Sequence, residues 1–265
     1  MALAENKSPS YIPTRDEITQ LARDLIPELK ERAQETEDLR KMPEKNMQAL
    51  LDAGIHKIFT PKRYGGYEMD WGTQVDVARE LGKGCASTSW MSSVVMSHSW
   101  NFGRFPAEAQ EEFWPGCPDA VIATAFAGGG EMKETDGGFI LNGLWKFASG
   151  VDHSDASIVA GQFKNAHSKS GTALDYRMAL IMPDQYEIID TWQAEGLKGT
   201  GSKPKHNRIH QERCPIITRV CDCFAATMYC KRARPSAGHQ YSLAPRGSST
   251  LESPRPWYFD WPVGS

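Results

Sequence analysis

The chain has 265 residues, 40% of them hydrophobic and 24% charged, with a formal net charge of -3. This is an ordinary globular composition with room for one large domain or two modest ones, and its slight acidity argues against a dedicated nucleic-acid binder, which is usually basic. No apolar run approaches ~18 residues, so no membrane span is expected; "MALAENKSPSYIPTRDE" lacks the apolar centre of a secretion signal, so a cytoplasmic location is expected.

Residues 1–117 read as a helical domain. Thr14-Arg15-Asp16-Glu17 is a T-x-x-E capping box. Behind it Ile18, Leu21, Ala22, Leu25 and Leu29 recur at helical spacing, which predicts one amphipathic helix, kinked at Pro27 and ending before Pro43. Its charge-rich face reads as solvated or turned toward another subunit. "PEKNMQALLDAGI" predicts a second helix between Pro43 and Gly54. After the loop "PKRYGGYEMDWG", "TQVDVARELGKG" predicts a third, with Val75, Val77, Ala78 and Leu81 on its apolar side. "ASTSWMSSVVMSHSWNF" predicts a fourth, whose small residues permit close packing, and "PAEAQEEFW" a short fifth.

The pattern changes near Asp119. "AVIATAFA", "GEMKETDGGFILNGLWKFAS", "ASIVAGQF", "DYRMALIMP" and "YEIIDTW" are short β-rich runs, and "DGG" and "NG" are hairpin signals. They predict an antiparallel β domain over residues 118–203. Neither a Rossmann fingerprint nor a P-loop is present; "GTGSK" is a weak phosphate loop because no helix pattern follows it.

Residues 204–265 show neither period. They hold Cys214, Cys221, Cys223 and Cys230, near His206 and His210. These ligand types suit zinc, but C-x6-C-x-C-x6-C is not the paired-knuckle spacing, so no metal site is assigned. A natural extension is a second reading. The abrupt change after Lys203 favours a third, a shifted reading frame that leaves a non-native, disordered tail.

Helices, then strands carrying "GLWKFASGVDH", then "DTWQAEGLKGTGSK" resemble the acyl-CoA dehydrogenase superfamily, and "MPEKNMQALLDAGIHKIFTPKRYGG" and "CASTSWMSSVVMSHSW" agree. The "F-A-S-G-x-x-H" form is similar to that of the oxygenase components of two-component flavin monooxygenases, the 4-hydroxyphenylacetate 3-hydroxylase and secosteroid phenol hydroxylase branch. Dehydrogenases more often carry "W-I-T-N" there. The resemblance spans roughly Pro13 to Lys203. It implies an α+β chain: an N-terminal helical domain, an antiparallel β domain, and a C-terminal four-helix bundle that is missing after Lys203.

The resemblance also assigns residues. Ser149 falls where the branch places a serine near flavin N5, favouring a C4a-hydroperoxide, so it is a catalytic and cofactor-binding candidate. Phe147 matches the dehydrogenase tryptophan, also flavin-facing. Trp145, Phe147 and Ser149 alternate, so a regular strand puts all three on one face and makes Trp145 a cofactor-binding candidate too. Thr124 matches a strand that holds the isoalloxazine edge. Trp90 and His98, two helical turns apart, border the substrate pocket in the family. His98, with an ordinary pKa near ~6.5, would help form a phenolate. His153 reads as structural.

The activity implied is hydroxylation of an aromatic, phenolic substrate by O2 and reduced FMN or FAD. The flavin would come from a separate NAD(P)H-dependent reductase, and the family assembles as homotetramers. An acyl-CoA dehydrogenase-type FAD oxidoreductase and an inactive truncated fragment are the alternatives.

Overall fold

The computed structural model describes residues 9–135, 138–164 and 176–208. The capping box forms: the Glu17 backbone N–H donates to Thr14 Oγ1, and the Thr14 N–H donates to the Glu17 carboxylate at 2.7 Å. It opens α1 (Arg15–Asp24), but the long kinked helix expected here is three segments, continuing as α2 (Ile26–Glu31) and α3 (Ala33–Leu39). Pro27 has no N–H to give a preceding turn, and it sits instead in the first turn of α2, where no helical bond is lost. α4 (Glu44–Asp52) ends at Gly54, whose φ of 68° is left-handed and where a Cβ would run into Tyr67.

α5 (Trp71–Gly82) buries Val77 and Leu81, but Val75 is exposed, against expectation. Two residues are about 200° of helix, so Val75 and Val77 face opposite ways. α6 (Ala86–Phe102) is the central helix, burying Met91, Val95, Met96 and Phe102. α7 (Ala107–Phe113) follows, and Phe102 with Trp114 (ring centroids 4.7 Å apart) forms a cluster that packs on Ile122, Ile158 and Leu180 of the sheet. Apolar burial at this seam, about 25 cal/mol per Å2, joins the helices to the strands.

The sheet contains β1 (Ile122–Ala125), β2 (Ala127–Thr135), β3 (Gly138–Ala148), β4 (Ala156–Lys164), β5 (Tyr176–Ile181), β6 (Glu187–Ile188) and β7 (Lys203–Arg208). It is mixed, which corrects the expectation of antiparallel pairing throughout. β2–β3, β3–β7, β4–β5 and β6–β7 are antiparallel, but β4 runs parallel to both β1 and β2. Hairpin signals report only neighbours in sequence; β4 returns beside β1 after a long excursion, which permits parallel pairing. β1 lies along Ala156–Val159 and β2 along Gln162–Lys164 of the same strand. The chain therefore leaves the edge of β4 at Phe126 and rejoins it.

The boundary expected at Lys203 falls on the first residue of β7, which extends regular pairing to Arg208. Lys205 lies opposite Trp145 in register, so the two side chains share the inner face. Lys205 is 0% exposed, and its Nζ, 5.3 Å from the Tyr186 ring centre, has no hydrogen-bond partner among the described residues. Burial pushes its pKa down to about 7. Lys203, also turned inward, pairs with Asp152 at 2.8 Å. Cys214, Cys221, Cys223, Cys230 and His210 lie outside the described residues. Among the described residues no His, Cys, Asp and Glu group could hold a metal, and no helix is long and apolar enough to cross a membrane.

Candidate functional site

A cleft of about 500 Å3 lies where α6, the β1–β2 break, the end of β3 and the segment before β7 meet. Each wall has a local cause. α6 presents Trp90, Val94 and His98, spaced by one helical turn. The break at Phe126 puts the stretch from Thr124 to Ala127 on the cleft wall, with Thr124 and Ala125 still buried. The end of β3 contributes Lys146 and Phe147, and Ser149 follows directly after it. The segment from Trp192 to Ser202 closes the cleft and is pinned to the helices: Glu37 accepts from the Lys198 N–H at 2.9 Å, and Arg40 donates to the Trp192 carbonyl at 2.7 Å and to Asp190.

Of the expected residues, Trp90, His98, Thr124, Phe147 and Ser149 come together on these walls, and Trp145 does not. The β3–β7 register shifts between Trp145 and Ala148, and Phe147 has φ 62°. This bulge inserts one residue and reverses the alternation. Trp145 and Ala148 point inward, both 0% exposed, while Phe147 is 62% exposed toward the cleft. The Trp145 indole is a core element: it donates to the Ala160 carbonyl at 2.7 Å and fills the space above Gly130 and Gly143, where any Cβ would strike it. A non-glycine residue held left-handed costs about 1–2 kcal/mol, and such strain concentrates at functional sites. Here it holds an aromatic ring against the cleft, edge-on to Trp192 at 6.5 Å.

His98 is buried, and both ring nitrogens are engaged. Nδ1 lies 2.7 Å from the Ile122 carbonyl, which can only accept, so Nδ1 carries the proton. The bare Nε2 then accepts from the Thr124 hydroxyl at 2.7 Å. Burial, with a smaller push from the Lys205 charge, lowers the His98 pKa to about 4 against the opposing bond to Ile122. This corrects the expectation of an ordinary imidazole poised near neutrality. In solution, nitrogen NMR is expected to show a neutral, Nδ1-protonated His98 from pH 8 down to about 4; titration near pH 6.5 would mean the ring is free of Thr124.

Ser149 joins a chain of hydroxyls. Its Oγ lies 2.6 Å from Ser202 Oγ, which lies 2.8 Å from Thr200 Oγ1, which donates to the Leu197 carbonyl at 2.9 Å. The Trp90 indole N–H reaches Ser149 Oγ at 3.4 Å. Thr200, Ser202, Trp192 and Leu197 were not singled out from sequence, although "DTWQAEGLKGTGSK" contains all four; the signal lay in a loop with no period. His153 bonds the Met42 carbonyl at 2.7 Å, away from the cleft, in keeping with a structural part.

The cleft's size is that of a small-molecule site, and its aromatic walls with a few hydroxyls fit a flat heteroaromatic ring. Residues 13–116 match the acyl-CoA dehydrogenase N-terminal domain. The chain is 38% identical over 178 residues to the flavin-dependent monooxygenase oxygenase subunit HsaA of Rhodococcus jostii, covering 67% of this chain and 46% of that protein. It is 34% identical over 224 residues to the oxygenase component of a FADH(2)-dependent resorcinol hydroxylase from Rhizobium sp., covering 74% and 54%. The crystal structure of the HsaA monooxygenase from M. tuberculosis superposes with a TM-score of 0.72 at 33% identity, over 79% of this chain and 53% of that one. The chain thus spans about half the length of the curated relatives it matches. Over that half it is similar to the oxygenase subunits of flavin-dependent monooxygenases, and residues 13–116 match the acyl-CoA dehydrogenase N-terminal domain.

Proposed function

We propose that the cleft binds the ring system of reduced FMN or FAD, and that the protein acts as the oxygenase component of a two-component flavin monooxygenase. Its substrates would be O2 and an aromatic, phenolic compound, and a separate NAD(P)H-dependent reductase would supply the flavin. The observation that carries this reading is the convergence of Phe147, Ser149, Thr124 and Trp90 on one cleft in a chain related to such oxygenases.

Reduced flavin, once bound, supplies the electrons that activate O2. The chain's own residues do the rest. Phe147 and Trp192 line the cleft and would hold the ring by its apolar faces. Ser149 and Thr124 line the cleft with hydroxyls that would hold its polar edge. His98 acts through Thr124 as a positioning residue rather than as a base toward substrate, since neither of its nitrogens is free. Trp90, 52% exposed, is placed to meet the aromatic substrate.

The test is an anaerobic titration of the 265-residue chain with reduced FMN. Saturable binding is expected, weakened about ten-fold by Thr124→Val, which removes one hydrogen-bonding group. No saturable binding of flavin in any redox state overturns the reading.

A further inference from the structure

One wall of the cleft comes from a segment that is neither helix nor strand, Asp190 to Leu197, and it puts Trp192, Gly196 and Leu197 on the cavity. Its anchors lie outside the cleft, on α3 and just beyond its end. The Glu37 carboxylate accepts from three donors: the Lys198 N–H at 2.9 Å, the Gly199 N–H at 3.3 Å and the Ser87 hydroxyl. Two successive backbone N–H groups in a turn form an anion-binding concavity, and this carboxylate fills it. Arg40 holds the other end with its fork. It donates to both Asp190 oxygens, at 3.0 and 2.9 Å, and to the Trp192 carbonyl at 2.7 Å. The Trp192 indole N–H donates to the Lys198 carbonyl at 2.8 Å, which joins the two anchors into one circuit. The fit is tight: a Cβ on Gly199 would run into Thr36 and Ser87. It is also strained, because Leu197 is held left-handed at φ 54°. Such a conformation persists only where its surroundings over-determine it, and Glu37 does so by fixing the next two N–H groups.

We infer that Glu37 and Arg40 are positioning residues for the cleft: acting from outside it, through Trp192 and Leu197, they set how tightly it holds a flat aromatic ring. The inference rests on the flavin reading above. Neither residue lines the cavity, so an effect on a ligand there must pass through the wall they hold. The charge of Glu37 matters as well as its shape. Glu37→Gln keeps the length of the side chain but leaves one oxygen for three donors and turns an NH2 group toward the rest. Arg40→Met keeps the stem and loses every bond of the fork. In either variant the turn at Leu197 is free to relax, and the Trp192 ring loses its fixed place 6.5 Å from Phe147. A wall that must be ordered at the moment of binding costs affinity that a pre-ordered wall does not.

The experiment is an anaerobic titration of the full chain and its variants with reduced FMN, arranged as double-mutant cycles. Glu37→Gln and Arg40→Met are each expected to weaken binding about ten-fold, the worth of a lost hydrogen-bonded anchor. In a Trp192→Ala background, which removes the ring they hold, each is expected to cost less than about three-fold, because residues that act through one another do not add. A merely structural part would give losses that add. Amide exchange of the ligand-free chain supplies a second readout. The Lys198 and Gly199 N–H groups are expected to exchange about ten-fold faster in Glu37→Gln, with the α5 amides unchanged. This readout decides where Trp192→Ala binds too weakly to titrate. The two anchors hold different ends of the wall, so the misfolding of one variant leaves the other to decide. Additive losses in both cycles, unchanged affinity in both folded single variants, or unchanged exchange at Lys198 and Gly199 in folded Glu37→Gln overturns the inference and leaves the flavin reading standing. No saturable binding of flavin by the wild-type chain in any redox state overturns both.

Discussion

Lys205→Met is expected to stabilise the protein by roughly 2–4 kcal/mol at pH 7, an amount that shrinks as the pH approaches 10. The ammonium group is fully buried with no hydrogen-bond partner among the described residues, and the Tyr186 ring 5.3 Å away offsets only part of its lost hydration. Its folded pKa is depressed to about 7 from the ordinary 10.5. Between those values the unfolded chain holds a proton that the folded chain has released, so stability rises with pH across that window. Below about pH 7 both states are protonated and the full penalty stands. Methionine removes the charge and keeps an unbranched side chain of similar length. Urea denaturation of both proteins at pH 7 and pH 10 measures the difference. A variant no more stable than wild type at pH 7 would show that the amine finds a partner in solution.

Trp145→Ala and Phe147→Ala, two positions apart, are expected to behave in opposite ways. The first deletes a fully buried indole, its bond to the Ala160 carbonyl and the filling above Gly130 and Gly143. A loss of about 3–5 kcal/mol is expected, enough to unfold a marginal protein. The second removes a ring that is 62% exposed, and its stability should stay within about 0.5 kcal/mol of wild type. It should instead weaken flavin binding by about ten-fold, since the lost ring is a wall of the cleft. Denaturation curves and flavin titration of both variants provide the test. If Phe147→Ala destabilises as much as Trp145→Ala, the ring is core and not wall.

That pair also shows where reading the sequence stops working. Alternation put Trp145, Phe147 and Ser149 on one face. A single bulge residue reversed the phase, and nothing local announces it: Phe147 is not the glycine that usually marks a left-handed position. The capping box at Thr14, the left-handed stop at Gly54 and the helical period of α6 were legible because each depends on residues within one or two turns. The mixed sheet was not legible, because the pairing of β4 with β1 is made across two intervening strands. Val75 is apolar yet exposed, because hydropathy alone does not say which side of a helix a residue faces.

At the cleft, residue types and motif order were enough to nominate Ser149, Thr124, Phe147, Trp90 and His98, and the fold brings them together. What each of them does is a matter of partners. The His98 pKa, the bond between Ser149 and Ser202, and the anchoring of the Trp192 wall by Glu37 and Arg40 come from contacts between residues far apart in the chain. Sequence by itself determined the helices, most strands and the chemical inventory of the cleft, because propensity, capping and period act over short range. Tertiary structure decided which face each strand turns inward, which nitrogen of His98 holds the proton, and where a buried lysine lacks a partner. Burial and hydrogen-bond direction are properties of surroundings, and the surroundings exist only once the chain has folded.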